Sequence, residues 1–221
     1  MANVNIANLK PPQSPNLPLA PTAYDQQYFN ILTNVLRLYF NQLDLLTSTI
    51  ITPDIGYFLN MPYGAFLDTT TQTAAAINTP YAVTFNTQSL EDSTRNLFPG
   101  QPDIFINPLD ASQIVVLFPA IYDFEFSLQL EKATSSLKYV WVWARVNGID
   151  VDDSATKVAI QGNGAAAVAA WNFLLEIKNP GDYFQLMWAV EDTDIEIVAE
   201  AATAFCPSIP SAILTVSGIS A

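Results

Sequence analysis

Residues 122–131 read YDFEFSLQLE, and residues 138–148 read KYVWVWARVNG. In the first stretch Tyr122, Phe124, Phe126, Leu128 and Leu130 alternate with Asp123, Glu125, Ser127, Gln129 and Glu131. A period of two is the mark of a half-buried β-strand. In the second, Tyr139, Trp141, Trp143 and Arg145 fall on one face, and Val140, Val142, Ala144 and Val146 on the other. Asn147 and Gly148 follow, two residues that tolerate positive φ. They form the strongest hairpin signal in the chain.

Outward from this pair, β signals continue in both directions. Residues 63–73 and 81–87 alternate weakly and end in turn formers, 97–102 read as a loop, and 114–118 as a short buried strand ended by Pro119. Downstream, a strand is expected over 170–177. The turn 179–182 then leads into Tyr183, Phe184, Leu186 and Trp188. Ile195 and Ile197 alternate with Asp194 and Glu196, and 209–216 is a last apolar strand. Eight or more strands at short spacing with no helix between them predict an antiparallel sandwich or barrel.

The N-terminal quarter has a different character. Residues 1–21 carry Pro11, Pro12, Pro15, Pro18 and Pro21, with Leu9, Leu17 and Leu19 between them. Proline removes a donor and favours extended neighbours, so this is an arm without a core of its own. It is either a disordered tail or a strap that docks on another protein. Residues 22–48 read as a helix. Thr22 can cap it and Asp25 sits near its positive end. Phe29, Leu32, Leu36, Tyr39, Leu43 and Leu46 alternate steps of three and four, a heptad seam of nearly three repeats. Ile31, Val35, Leu38 and Leu45 widen the apolar surface. Such a helix must pack, either on the chain's own β region (49–221, after a β-branched connector at 47–53) or in a bundle with sister chains.

Composition narrows the function. Of 221 residues, 8 are Lys or Arg and 21 Asp or Glu, a net charge of −13 with no histidine. An acidic chain with scattered cations repels phosphates, which argues against nucleic acid as a partner. Without histidine, every imidazole-dependent triad is excluded. Cys206 is the only cysteine. It allows neither a disulfide framework nor a Cys/His zinc site, and it reads as an inert buried thiol. Charged residues are 13% against the usual 25% or so, while hydrophobic residues are 50%. Twenty-nine charges spread thinly over the roughly 10,000 Å² that a monomer of this size exposes. Either the surface is rich in Thr, Ser, Asn and Gln, or part of it is buried against other copies.

Signals for chemistry are sparse. Asp150, Asp152, Asp153 and Ser154 partly follow a calcium loop but lack its glycine and distal glutamate. Glu191, Asp192, Asp194, Glu196 and Glu200 form a second acidic stretch, in which Asp192, Asp194, Glu196 and Glu200 share a face if it is a strand. Both read as solvated surface. Gly162 and Gly164 are a lone pair in a loop, not a phosphate cradle. No cofactor, no metal and no enzymatic activity are expected. The N-terminus lacks a basic region followed by an apolar core. The longest apolar run, 165–175, is interrupted by Asn172 and is far short of the roughly 20 residues of a bilayer span. The chain is expected to be soluble, made in a cytoplasm and without a membrane partner.

The stretch from Tyr63 to Val216 resembles the C1q/TNF-like jelly rolls of bacteriophage structural proteins. The likeness rests on residues 122–128, on 140–150 with Ser154 following, on Asn172 and Phe173, on the Gly181, Asp182, Tyr183 turn and on the closing residues 210–214. Residues 16–21 followed by 35–44 resemble the leader of virion proteins from phages of marine and freshwater bacteria, including cyanophages. The resemblance implies an antiparallel jelly-roll sandwich preceded by an arm and one helix, assembled as a homotrimer. It implies a non-enzymatic role on the virion as a capsid decoration, cement protein or short fibre. Capsid or tail proteins would be the partners, held through Leu9, Leu17 and Leu19 of the arm. Tyr122, Phe124, Tyr183, Phe184 and Trp188 are then candidates either for the threefold axis or for the sandwich core. Tyr183 and Phe184 are adjacent, so at most one of them faces the core. The alternative function is a tail-fibre or receptor-binding module for a host-surface glycan, with Trp141 or Trp143 stacking on sugar rings.

Overall fold

A computed structural model describes residues 15–51, 61–91 and 102–220. Leu9, most of the loop read at 97–102, and Thr52 and Pro53 of the connector lie outside the described residues, as does the side chain of Leu46. The chain divides into two units, Met1–Leu59 and Asn60–Ala221.

In the first unit the single helix, α1, runs from Gln26 to Ile51. It starts later than the sequence reading because Asp25, not Thr22, is its cap: the Asp25 Oδ1 accepts the Gln27 N–H at 2.8 Å. It also ends later. The β-branched residues after Thr47 continue the helix, since their propensity penalty is only a few tenths of a kcal/mol each and propagation adds a hydrogen bond per residue. Only Arg37 and Asp44 carry charge along its 26 residues.

The second unit is an antiparallel sandwich. Its strands are β1 (Tyr63–Asp68), β2 (Gln72–Thr73), β3 (Tyr81–Ala82), β4 (Thr87–Glu91), β5 (Ile104–Ile106), β6 (Ile114–Val116) and β7 (Ala120–Lys132). These are followed by β8 (Lys138–Val146), β9 (Ile149–Asp150), β10 (Thr156–Ile160), β11 (Ala165–Ile177), β12 (Asp182–Val190), β13 (Ile195–Ile197) and β14 (Ala212–Ser220). One sheet has the order β2-β13-β7-β14-β1-β4, with β11 on the other side of β7. The second has the order β10-β8-β12-β6-β5, with β3 on β12 and β9 on β8. Taking β1, β6, β7, β8, β10, β11, β12 and β14 as the eight principal strands, the first pairs with the last, the second with the seventh, the third with the sixth and the fourth with the fifth. That nested pairing makes the sandwich a jelly roll.

The alternation in β7 fixes which side is inside. Ala120, Tyr122, Phe124, Phe126, Leu128 and Leu130 are buried while Ile121, Glu125 and Glu131 are exposed. Across the sandwich, Phe124 stacks on Phe184 of β12 with ring centroids 4.3 Å apart. Phe126 packs edge-on against Trp171 at 4.6 Å and lies parallel to Phe173 at 5.6 Å. The Tyr122 hydroxyl donates to the Phe118 carbonyl at 2.8 Å, so its polar end is satisfied inside. The stretch 63–73 is two strands rather than one, because Asp68 turns the chain. Its buried carboxylate accepts hydrogen bonds from the Thr70 N–H (2.7 Å), the Thr70 and Thr84 hydroxyls (2.5 and 3.0 Å) and the Asn86 amide (3.2 Å).

At the hairpin after β8, Asn147 and Gly148 have φ of 51° and 77°, as the two-residue turn requires. The Asn147 side chain fastens this end to the next turn. Its amide donates to Asp182 Oδ1 at 2.8 Å, and its oxygen accepts the Tyr183 N–H at 3.0 Å.

Candidate functional site

The outward row of β8 is the most chemically distinctive surface of the sandwich. Val140, Val142 and Ala144 point into the core, so the period of two turns Tyr139, Trp141, Trp143 and Arg145 outward, all half-buried. Neighbouring strands decide what surrounds them. On β10, Lys157 stands opposite Trp141 in register, and its ammonium lies 3.5 Å from the Tyr139 ring centroid and 5.6 Å from that of Trp141. This is cation–π distance for both rings. Among the described residues no carboxylate lies within ion-pair distance of Lys157. On β9, Asp150 stands opposite Arg145. One of its oxygens accepts both the Arg145 Nε–H at 2.6 Å and the Trp143 indole N–H at 2.8 Å. The Arg145 hydrogen bond, with help from Trp143, holds the Asp150 carboxyl below the usual carboxylate range against the opposing effect of partial desolvation. The indole of Trp143 is therefore fixed from its edge, leaving its faces to packing or to a ligand.

Between the two tryptophans lies a shallow groove of about 350 Å³. Trp141 and Trp143 wall it, Ala155 and Ala189 line it, and Asn78 and Pro80 complete it. Ala189 is opposite Trp141 on β12. The space exists because alanines flank the indoles on both sides, Ala189 on β12 and Ala155 just before β10. A second cleft of about 180 Å³ opens near Gln129, Ala167, Val168 and Val198. It is bordered by Glu131 and Glu200 and has no aromatic wall.

The core candidates separate cleanly. Tyr122, Phe124, Phe184 and Trp188 are buried within one chain, filling the sandwich. Tyr183 is half-buried on the opposite side of β12 from Phe184. The acidic stretch does not form one face as a strand would. After β12 ends at Val190, residues 191–194 turn. Glu191 accepts the Tyr139 N–H at 3.1 Å, and Asp192 pairs with Lys138 at 3.4 Å. Asp194 accepts the Thr134 N–H at 2.9 Å. Partial burial pushes the Asp194 carboxyl upward, but the Thr134 hydrogen bonds and the nearby Lys132 ammonium outweigh it and hold it below the usual range. Of the four residues expected on one face, only Glu196 stands within a strand, β13. Among the described residues no group of three or more Asp, Glu or Cys is placed to hold a metal ion. Cys206 is a half-exposed free thiol in the loop before β14, its N–H donating to the Thr203 hydroxyl at 3.1 Å.

On α1, Leu32, Leu36, Tyr39 and Leu43 are half-buried and Phe29 is exposed. Ile31, Leu38, Phe40 and Leu45 are exposed as well, so the apolar surface is wider than the seam alone. In the arm Leu17 is exposed and Leu19 almost fully so, at 95%. No helix among the described residues is long and apolar enough to cross a membrane.

No protein-family model matches the chain, and no curated protein does. Solved structures do. Murine APRIL at pH 8.5 aligns with a TM-score of 0.44 at 8% identity, covering 72% of this chain and all of that one. The Eiger TNF of S. frugiperda aligns at 0.45 and 10% identity, covering 72% of this chain and 93% of that one. The globular domain of zebrafish complement 1qA aligns at 0.39 and 13% identity, covering 72% and 98%. The likeness is one of chain path; the jelly-roll assignment itself stands on the strand pairing above.

Proposed function

We propose that this chain is a non-enzymatic phage virion structural protein. It is a homotrimeric jelly-roll knob, cement protein or short fibre, held to the particle by its arm and helix. The observation that carries the reading is α1. A 26-residue helix with two charges presents Phe29, Leu38, Phe40 and Leu45 to solvent beside a half-buried seam. Covering a Leu or Phe side chain is worth roughly 1.5–3 kcal/mol. These four are 45–68% exposed, so together they offer about 3–7 kcal/mol per chain, which reaches the lower part of the estimated 4–15 kcal/mol that association costs. Sister helices are the partners that make the gain threefold and specific in register. The virion setting draws on the sequence resemblance of residues 16–21 and 35–44 to phage leaders, and the exposed Leu17 and Leu19 suit an arm that inserts side chains into a neighbour.

The test is incorporation into particles. Chains lacking residues 1–21 should remain trimeric in solution and fail to join virions that the full chain decorates. Truncated trimers that load as fully as the intact protein would remove the anchoring role.

A second reading, recognition of a host-surface glycan, is favoured by the groove between Trp141 and Trp143. Its apolar aromatic walls suit the C–H face of a pyranose, and a trimer would multiply a weak single-site affinity.

A further inference from the structure

We propose that the groove between Trp141 and Trp143 takes an anionic sugar, in its simplest form a uronic acid residue of a polysaccharide, and that Lys157 reads its carboxylate. The inference rests on the glycan reading of this face and adds the ligand class.

Three features converge. Volume comes first: about 350 Å³ is at the small end of ligand sites and fits one or two sugar rings rather than a folded partner. The walls come second. Trp143 is fixed by its indole N–H bond to Asp150, and Ala155 and Ala189 keep the space beside the indoles open. A sugar stacked there buries its apolar C–H face and leaves its hydroxyls at the edge, where Asn78 supplies a donor and an acceptor. Charge comes third and selects among sugars. Arg145 is already neutralised by Asp150 at 2.6 Å, whereas Lys157 has no carboxylate partner among the described residues and is parked over Tyr139 and Trp141. Its flexible stem can swing the ammonium over a ring that stacks on Trp141.

The chain's net charge of −13 opposes any anion at long range. At physiological ionic strength the Debye length is about 8 Å, so charges beyond the immediate face are largely screened while a contact with Lys157 is not. Of the acids beside this face, Asp150 already shares its charge with Arg145, and Glu191 accepts the Tyr139 N–H.

The experiment titrates the full chain with oligogalacturonate and with its methyl ester, a neutral molecule of nearly the same shape. Both titrations are run at 0.15 M salt and followed by tryptophan fluorescence and calorimetry. The expected result is about tenfold tighter binding of the acid than of the ester. In Lys157→Met, which keeps the stem and drops the charge, that preference should collapse while the ester binds as before. In Trp141→Ala both ligands should be lost. Lys157 is exposed, so its variant tests selectivity without threatening the fold. Equal binding of acid and ester by the native chain would overturn the anionic assignment and leave the glycan reading standing. An acid preference that survives in Lys157→Met would overturn the role of Lys157. Binding of neither ligand would overturn the glycan reading and this inference together.

Discussion

Two rows of aromatic side chains run through the sandwich, and they have opposite fates. Tyr122, Phe124 and Phe126 of β7, with Phe184 and Trp188 of β12, are sealed inside. Tyr139, Trp141 and Trp143 of β8 face outward and stay half-exposed. Both rows alternate with a period of two, and both are as apolar as strand sequence permits. The difference lies in what alternates with them. On β7 the other face is Asp, Glu, Ser and Gln, so the rings take the interior. On β8 the other face is Val140, Val142 and Ala144, smaller side chains that take the interior and turn the rings outward. Large rings turned outward in this way leave apolar surface on the face of the sandwich, while those inside hold the fold together.

Substitutions at the two rows should therefore behave differently. Phe124→Ala should cost about 3–5 kcal/mol in denaturant unfolding, since it opens a cavity at the centre of the stack. Trp141→Ala should cost only about 1 kcal/mol or less by the same measurement, as befits a half-exposed site. Equal costs would erase the distinction between the inner row and the outward one. Asp68→Ala should fall between them, about 1–3 kcal/mol. It strands the Thr70 N–H and the Thr84 and Asn86 donors around the first turn. The smallest expected effect is on pH. Asp150 and Asp194 have carboxyls held below the ordinary aspartate value of 3.8. Asp182 joins them: its partial burial acts upward, but hydrogen bonds from Asn147 and Asn179 outweigh it. A depressed folded pKa contributes stability that is present above about 3.8 and lost as pH falls through the lower folded value. Thermal scans should thus be flat from pH 7 to 5 and fall below pH 4. Asp150→Asn should flatten part of that fall. Asp150 is exposed and Asp182 and Asp194 are only half-buried, so each contribution is small.

Much of this architecture is legible in the residues. The alternation of 122–131, the two faces of 138–146 and the Asn147, Gly148 turn appear in the structure as β7, β8 and a two-residue hairpin. What could not be read locally was settled by neighbours. β12 is buried on both faces, because Gln185, which alternation would place in solvent, is covered and donates to Ser112 at 2.8 Å across the sheet. The acid-rich 191–200 is a strand only over β13, because residues 191–194 turn and Asp192 and Asp194 serve that turn. The groove was invisible for a related reason: Trp141 and Trp143 were evident, but the alanines that open the space beside them are Ala189 on β12, 46 to 48 positions along the chain, and Ala155 just before β10, 12 to 14 positions along. The two-residue strands β2, β3 and β9 are too short to carry a period at all.

The contrast that remains is between the sandwich, whose apolar residues are largely covered, and α1, whose apolar residues are not. Light scattering on the full chain at micromolar concentration tests it directly. The expected species has three times the 24.2 kDa chain mass and falls to a single chain in the Leu36→Asp, Leu43→Asp double variant while the sandwich still melts cooperatively. A native chain that runs at 24.2 kDa, melts cooperatively and does not aggregate would contradict it.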